Sequence, residues 1–146
     1  MCSNSNLLRM HHSGFVVPSI SAVIESLCLA TRGTGWSQTW HDPVQRVRVA
    51  FIYPANAGDP SIELVEPADE KAPVYKFLER GGGLHHLCYE VESLKVELTA
   101  APDRGLTIIR RPQPAVAFQG RHIAWVITKE MLLIEFLERT QHDSLV

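Results

Sequence analysis

The sequence predicts an α+β fold built from two copies of one module, because three short words recur in the same order in both halves. The matching pairs are MHHSGFVVPS (Met10–Ser19) with LHHLCYEVES (Leu84–Ser93), VAFI (Val49–Ile52) with IAWV (Ile123–Val126), and IELVEP (Ile62–Pro67) with IEFLER (Ile134–Arg139). The first two pairs are 74 positions apart and the third pair 72. A chain of 146 residues has the length of one domain. We therefore expect a single domain, residues 1–146, made of modules at about 8–72 and 81–141.

Each half begins with a His-containing strand that runs into a helix. The first helix is predicted at Ser19–Ala30 and closed by Gly33, and the second at Ser93–Ala100, where Ser93 is a suitable N-cap and Pro102 and Gly105 follow. β-Branched and aromatic segments come next and predict further strands. These segments are Arg46–Tyr53, Ser61–Val65, Leu106–Arg110, His122–Thr128 and Met131–Leu137. Each half thus has the order strand, helix, then two or three strands.

A short segment joins the halves. Pro73–Arg80 is predicted to form a linking helix, and Gly81–Gly83 a hinge into the second half. Three glycines in a row also suit a phosphate-binding loop, but such a loop precedes a helix and this one precedes a strand. We therefore predict a turn.

Composition and charge exclude several classes of protein. Fourteen Lys and Arg against sixteen Asp and Glu give a net charge of −2, which provides no general attraction for nucleic acid or an anionic membrane. No run approaches the roughly 18–20 apolar residues of a membrane helix. Cys2, Cys28 and Cys88 are an odd number without the spacing of a disulfide framework. We expect a cytoplasmic protein with a small-molecule partner, without nucleic-acid or membrane partners, and a homodimer, the commonest oligomer.

Four polar residues stand in apolar strands, where a buried ionised group needs a partner. Glu63 lies in SIELV, Glu135 in LLIEF, and His12 and His86 in the two His-His words. Taken one at a time, each is more commonly a solvent-facing or satisfied strand residue. The repeat places them at equivalent positions, however, so two modules packed about a pseudo-twofold axis would bring two imidazoles and two carboxylates together. This set predicts a metal site.

Each His-His word offers two candidates, whose side chains point to opposite faces of a regular strand. We choose His12 and His86 because each stands five residues before a valine, with a small residue, Gly14 or Cys88, two places further on. A small residue there would leave room for substrate. His11 and His85 are then expected to face the helix side or an interface, in packing or in a supporting role.

Two imidazole nitrogens and two carboxylate oxygens suit a borderline divalent ion, and Zn, Co, Ni, Mn and Fe remain open. Cys88 is two strand residues from His86, and we interpret it as a buried, inert thiol. Nothing nearby in the sequence lowers a cysteine pKa recognisably, so catalysis by Cys88 is not expected.

Paired strand–helix–strand modules that contain HHSG, IELVEP, GLHHLCYEV and LIEFLE resemble the vicinal oxygen chelate superfamily over about Leu8–Arg139. Within it, GGGLHHLCYEVESL after FLER is most similar to methylmalonyl-CoA epimerases, with glyoxalases and bleomycin-resistance proteins as more distant relatives. The resemblance implies a glyoxalase-like fold: two βαβββ modules that form a cup-shaped mixed sheet around one divalent metal. By residue match it places the ligands on His12, Glu63, His86 and Glu135.

The resemblance also implies chemistry in which a metal stabilises an enolate while a base moves a proton α to a carbonyl. Glu135 is the candidate base, with Glu63 as the equivalent carboxylate. Epimerases of this kind usually carry a glutamate where this chain has Val44, so Asp42 is the candidate second acid and Gln45 a neighbour without acid–base capacity. The expected function is a metal-dependent epimerase or isomerase, with an acyl-CoA thioester such as methylmalonyl-CoA as substrate.

Three alternatives remain open at this stage: a glyoxalase-like lyase, a non-catalytic drug-binding protein, and an Fe(II) dioxygenase. The last is disfavoured because Glu63 stands where a second histidine would be expected. Five arginines fall on strands or loops that could edge the cup and contact a CoA or phosphate tail, although solvated strand-edge charges are the commoner role for any one of them. They are Arg46, Arg48, Arg110, Arg111 and Arg121.

Overall fold

The first half of the chain forms five strands around one helix in the computed structural model, which describes residues 8–139. Cys2 and the last positions of the second predicted module, 140 and 141, lie outside the described residues. The elements are β1 (Arg9–Val16), α1 (Ile20–Ala30), β2 (Gly35–Trp36), β3 (Trp40–Asp42), β4 (Val47–Tyr53) and β5 (Ser61–Pro67). A short helix, α2 (Tyr75–Glu79), then forms within the predicted linking segment.

The second half follows the same order. Its elements are β6 (Gly83–Val91), α3 (Leu94–Ala100), β7 (Thr107–Pro114), β8 (His122–Ile127) and β9 (Leu133–Glu138), with 3-10 turns at Pro102–Arg104 and Val116–Phe118. Serine caps both long helices: Ser19 Oγ accepts a hydrogen bond from Ala22 N, and Ser93 Oγ accepts one from Val96 N. The predicted cap at Ser93 is therefore confirmed.

All nine described strands belong to one mixed sheet. Its order is β2-β4-β5-β1-β6-β9-β8-β7, and β3 pairs separately with β4. β1 is parallel to β5, and β6 is parallel to β9, while the two halves meet where β1 and β6 run antiparallel. This mixed α+β architecture confirms the predicted glyoxalase-like fold class.

The helices cover one face of the sheet and leave the other for the polar residues. Ile24 of α1 packs with Leu64 of β5, and Leu98 of α3 packs with Phe136 of β9. Side chains alternate along a strand, so Glu63 and Glu135, which precede Leu64 and Phe136, point away from the helices. The period of two thus places both carboxylates on the face opposite the helical layer.

Two short strands and one extension were not predicted. β2 and β3 have two and three residues, and β7 continues to Pro114, past the predicted end at Arg110. These segments are strands because they pair with β4 or β8, and their own sequences carry no strand periodicity. Within residues 8–139, no helix combines the length and apolar character needed to cross a membrane.

Candidate metal centre

The four polar residues predicted from the repeat meet at one point. His12, Glu63, His86 and Glu135 come from β1, β5, β6 and β9, the four adjacent strands at the middle of the sheet. One ligand atom from each residue lies within 4.8 Å of all the others. The exposed fractions of the four residues are 0%, 6%, 3% and 3%. The site is therefore a buried cluster with one side chain from each central strand.

His12 Nε2 is the centre of the cluster. It lies 2.8 Å from Glu63 Oε2, 3.1 Å from His86 Nε2 and 3.3 Å from Glu135 Oε1. A single N–H on His12 can be directed at only one of these three acceptors. Within the described part of the chain, Glu135 Oε1 is buried and receives no hydrogen bond.

This excess of lone pairs over hydrogens is what a cation would satisfy. Buried polar atoms are normally paired, and an unpaired carboxylate oxygen inside a protein is costly. Imidazole nitrogens together with carboxylate oxygens form a donor set suited to a borderline divalent ion. The residues present therefore fit the group that the sequence predicted.

The two buried imidazoles differ in charge. Burial lowers the pKa of His12, but the carboxylates of Glu63 and Glu135 outweigh burial and raise that pKa to about 10. Burial lowers the pKa of His86 to about 3, and the neighbouring His12 contributes in the same direction. At neutral pH the metal-free cluster consequently holds its proton on His12 and keeps His86 neutral.

We expect metal binding to release this proton and to strengthen as pH rises. A ligand imidazole must be neutral, whereas His12 without metal stays protonated up to about pH 10. Between about pH 6 and 8, the apparent affinity for Zn²⁺ or Co²⁺ should rise roughly tenfold per pH unit, the dependence expected for one released proton. Isothermal titration in buffers of different ionisation enthalpy counts that proton. An affinity that does not change with pH would contradict the assignment of the proton to His12.

His11 and His85 do not lie where a regular strand would place them. Each was expected to point away from its neighbour, but His11 Nδ1 lies 2.8 Å from His12 Nδ1, and His85 Nδ1 lies 2.9 Å from His86 Nδ1. Burial lowers the pKa of both outer histidines, that of His11 to about 4, so both are neutral near pH 7. His12 and His86 form the inner pair, as chosen from the sequence, and neither outer histidine faces the helix side: His85 lines the cavity and the His11 ring lies 5.3 Å from Phe118. Their expected place at an interface stays a prediction.

Gly14 provides space, though for a different group from the one expected. The sequence suggested room for substrate, but the imidazole of His86 occupies this space. A Cβ atom at position 14 would lie 2.0 Å from His86 Cε1, far closer than Cβ atoms approach other non-bonded atoms in proteins. Cys88 is the matching small residue opposite His12, since His12 pairs with Cys88 and Gly14 with His86 across β1 and β6. Each inner histidine therefore lies beside a small residue of the opposite strand.

Asp42 is buried at the end of β3 and lines the same cavity as Glu135. Its Oδ1 accepts hydrogen bonds from the backbone N–H groups of Val44 and Gln45, and its Oδ2 accepts one from Gln45 Nε2. Val44, at the position of the expected epimerase acid, is 61% exposed. Asp42, with Gln45 beside it, is thus the acid that this loop presents to the cavity.

A cavity of about 310 Å³ opens beside the cluster, a size typical of small-ligand sites. Its polar lining includes both glutamates, His86 and Asp42. The remaining wall is largely apolar, with Val47, Val49, Val65, Ile109, Trp125 and Leu133 among its residues. The cavity can therefore hold a small, partly apolar group next to the candidate metal ligands.

Two aromatic residues at the site were missed from sequence. Phe118 stacks on His12 with ring centroids 5.9 Å apart, and Trp125 lies edge-on to His86 at 4.7 Å. Trp125 belongs to the repeated word IAWV, where the matching residue is Phe51, whose ring lies 5.3 Å from His12. That aromatic match within the repeat was the available signal, whereas Phe118 lies outside the repeated words.

The remaining candidates take different roles. The Cys88 thiol is fully buried, and burial together with Glu135 raises its pKa well above the usual range, so it remains a neutral thiol. Arg46 pairs with Asp69, and Arg48 pairs with Glu66. Of the five arginines considered from sequence, Arg110 is the one that lines the cavity.

A nine-stranded mixed sheet whose four central strands each direct a His or Glu to one point is the arrangement expected of a vicinal oxygen chelate protein. Residues 11–125 match the model of the Glyoxalase/Bleomycin resistance protein/Dioxygenase superfamily. The chain therefore belongs to this superfamily, and the resemblance noted in the sequence is confirmed.

Methylmalonyl-CoA epimerases are prominent among its relatives. The ethylmalonyl-CoA/methylmalonyl-CoA epimerase of Cereibacter sphaeroides is 28% identical over 124 residues, covering 84% of this chain and 90% of that protein. The crystal structure of the Mycobacterium tuberculosis methylmalonyl-CoA epimerase is 22% identical and superposes with a TM-score of 0.82 over 100% of this chain and 97% of that one. A Streptomyces coelicolor methylmalonyl-CoA epimerase variant in complex with 2-nitronate-propionyl-CoA is 22% identical, with a TM-score of 0.76 over 92% of this chain and 99% of that one.

Proposed function

We propose that this protein is a metal-dependent epimerase or isomerase that moves a proton at the carbon α to a carbonyl, with an acyl-CoA thioester such as methylmalonyl-CoA as substrate. The observation that carries the proposal is the buried convergence of two imidazoles and two carboxylates on a cavity of substrate size. The epimerase relatives support the choice of reaction.

His12, Glu63, His86 and Glu135 are the residues that would hold the metal. A divalent ion bound there would supply a fixed positive charge that stabilises the oxyanion formed when an α proton leaves. The chain's own residues then have to bind the acyl group, exclude water and move the proton.

Glu135 is the carboxylate that we assign as the base. Its Oε1 is buried, makes no hydrogen bond within residues 8–139 and lies 3.3 Å from His12 Nε2, so it is held less closely than Glu63 Oε2, which lies 2.8 Å from that nitrogen, and is the freer of the two to accept a proton. Asp42 lines the same cavity and is the second acid of the proposal. Its hydrogen bonds to the 44–45 backbone hold the carboxylate in place. The apolar wall excludes water around the acyl group.

Arg110 is the cation that we assign to the anionic part of the substrate. It is partly buried on β7 and lines the cavity. Guanidinium groups bind carboxylate and phosphate oxygens in a bidentate manner, and a CoA thioester of a dicarboxylic acid carries both.

The direct test is exchange of the α proton with solvent. Methylmalonyl-CoA is incubated in D₂O with protein loaded with Zn²⁺, Co²⁺, Ni²⁺ or Mn²⁺, and deuterium at C2 is followed by mass spectrometry. We expect exchange that a chelator abolishes and added metal restores. A rate no faster than without protein excludes the epimerase assignment, and conversion of a hemithioacetal in a parallel assay would then indicate a glyoxalase-like lyase.

A further inference from the structure

Two β-bulges lie beside the candidate metal centre, one in β1 and one in β6. Across β1 and β6, Met10 pairs with Tyr89 and His12 with Cys88, so His11 is an extra residue without a partner. Further along the same ladder, Gly14 pairs with His86 and Phe15 with Leu84, which leaves His85 as the extra residue. A bulge of this kind re-aims a side chain. In both strands the re-aimed side chain is the histidine that precedes an inner histidine.

The bulges create two matching imidazole pairs. The Nδ1–Nδ1 distance is 2.8 Å between His11 and His12, and 2.9 Å between His85 and His86. The rings of each pair are nearly perpendicular, at 83° and 89°. The same geometry at two equivalent positions of the repeat indicates that His11 and His85 have the same role.

The hydrogen between two facing Nδ1 atoms can belong to only one ring. His12 and His86 direct their Nε2 atoms at each other and at the carboxylates. A neutral imidazole that binds a cation through Nε2 must carry its hydrogen on Nδ1. The outer histidines then have to accept that hydrogen at Nδ1 and carry their own on Nε2.

We propose that His11 and His85 are positioning residues that accept hydrogen bonds from the Nδ1–H groups of His12 and His86, so that both inner rings present Nε2 lone pairs to a divalent cation. This inference rests on the metal site of the proposed function. Groups that hold a ligand histidine in this way orient its ring and raise its basicity. Each His-His pair thus provides one candidate metal ligand and the neighbouring histidine that orients its ring.

Paired substitutions separate hydrogen bonding from packing. His11→Phe and His85→Phe keep a ring but lose the acceptor, whereas His11→Asn and His85→Asn keep an acceptor close to the position of Nδ1. His122→Phe, at an exposed histidine of β8, is the matched control. Affinity for Co²⁺ is measured by titration, and the Co²⁺ absorption spectrum is recorded for each variant.

We expect each Phe variant to bind Co²⁺ roughly 10–100-fold more weakly. Each Asn variant and the control should stay close to the wild-type affinity and spectrum. The inference is overturned if the Phe variants bind Co²⁺ as tightly as wild type, or if the Asn variants lose as much Co²⁺ affinity as the Phe variants. A wild-type protein that binds neither Co²⁺ nor Zn²⁺ overturns it together with the proposed function.

Histidine ¹⁵N NMR of the Zn²⁺-loaded wild-type protein decides the question if a variant does not fold. The expected result is hydrogen on Nδ1 of His12 and His86 and on Nε2 of His11 and His85. Hydrogen on Nδ1 of an outer histidine contradicts the proposal. A protein that binds metal with these tautomers but exchanges no α proton would retain this inference and exclude the proposed function.

Discussion

Glu135→Gln is expected to lower the rate of α-proton exchange by at least about a hundredfold at saturating metal, the usual scale for loss of a general base. Glu63→Gln, at the equivalent position of the other half, should weaken metal binding but keep most of the exchange activity once metal is saturating. Both rates are measured by deuterium incorporation into methylmalonyl-CoA, with metal content determined on the same samples.

The structure gives the reason for this asymmetry. Both glutamates are buried, and both line the cavity, so loss of one carboxylate affects the candidate metal site similarly in either case. They differ in pairing, because Glu63 Oε2 lies 2.8 Å from His12 Nε2, whereas Glu135 Oε1 lies 3.3 Å from the same nitrogen and makes no hydrogen bond within residues 8–139. Equal losses of exchange in the two variants at saturating metal would show that Glu135 acts only as a ligand.

Asp42→Asn, assayed alongside, distinguishes two forms of the mechanism. The asparagine oxygen can still accept the hydrogen bonds from the 44–45 backbone, and the Gln45 amide can turn so that its Oε1 accepts from the new NH2 group, so the loop and the metal content should be unchanged. If Asp42 supplies the second acid, inversion at the α carbon falls strongly. If Glu135 is the sole base, exchange and inversion respond to Glu135→Gln and hardly change in Asp42→Asn.

Gly14→Ala is expected to abolish high-affinity metal binding, with a loss of more than about a hundredfold. The added methyl group would lie 2.0 Å from Cε1 and 2.5 Å from Nδ1 and Nε2 of His86. The backbone of Gly14 cannot retreat, because β1 is held between β5 and β6. The His86 ring must therefore leave its position 3.1 Å from His12 Nε2. Overpacking of this kind typically costs about 1–3 kcal/mol of stability, so the fold should survive.

Cys88→Ala is the matched control, since Cys88 lies opposite His12 as Gly14 lies opposite His86. This substitution removes the sulfur atom and adds none, and the thiol that it removes is buried and neutral. We expect it to bind Co²⁺ with nearly wild-type affinity. Titration of both variants, with thermal melting to confirm folding, completes the comparison. Tight Co²⁺ binding by Gly14→Ala would refute the placement of His86.

Much of the fold was predictable because the repeat carries long-range information. Helices α1 and α3 and all seven predicted strands form at or near their expected positions, with β7 longer than predicted, since apolar periodicity and serine caps are local signals. The superfamily was also identifiable from the repeated words. That His12, Glu63, His86 and Glu135 bind a metal, and that Glu135 and Asp42 are catalytic, remain predictions for the experiments above.

The sequence by itself determined the α+β class, the two-fold repetition and the four polar residues that meet at the centre, because similar words in the same order, 74 or 72 positions apart, imply equivalent places in the fold. The tertiary structure alone decided how those places meet. The two parallel pairings, β1 with β5 and β6 with β9, join residues about 50 positions apart, and their register depends on how the whole sheet closes. The bulges at His11 and His85 arise from a difference in residue number between two paired strands. The need for glycine at position 14 arises only because the His86 ring packs against its backbone. The sequence of a strand specifies which side chains alternate between the two faces of the sheet, but the pairing with the neighbouring strand specifies where a bulge interrupts that alternation.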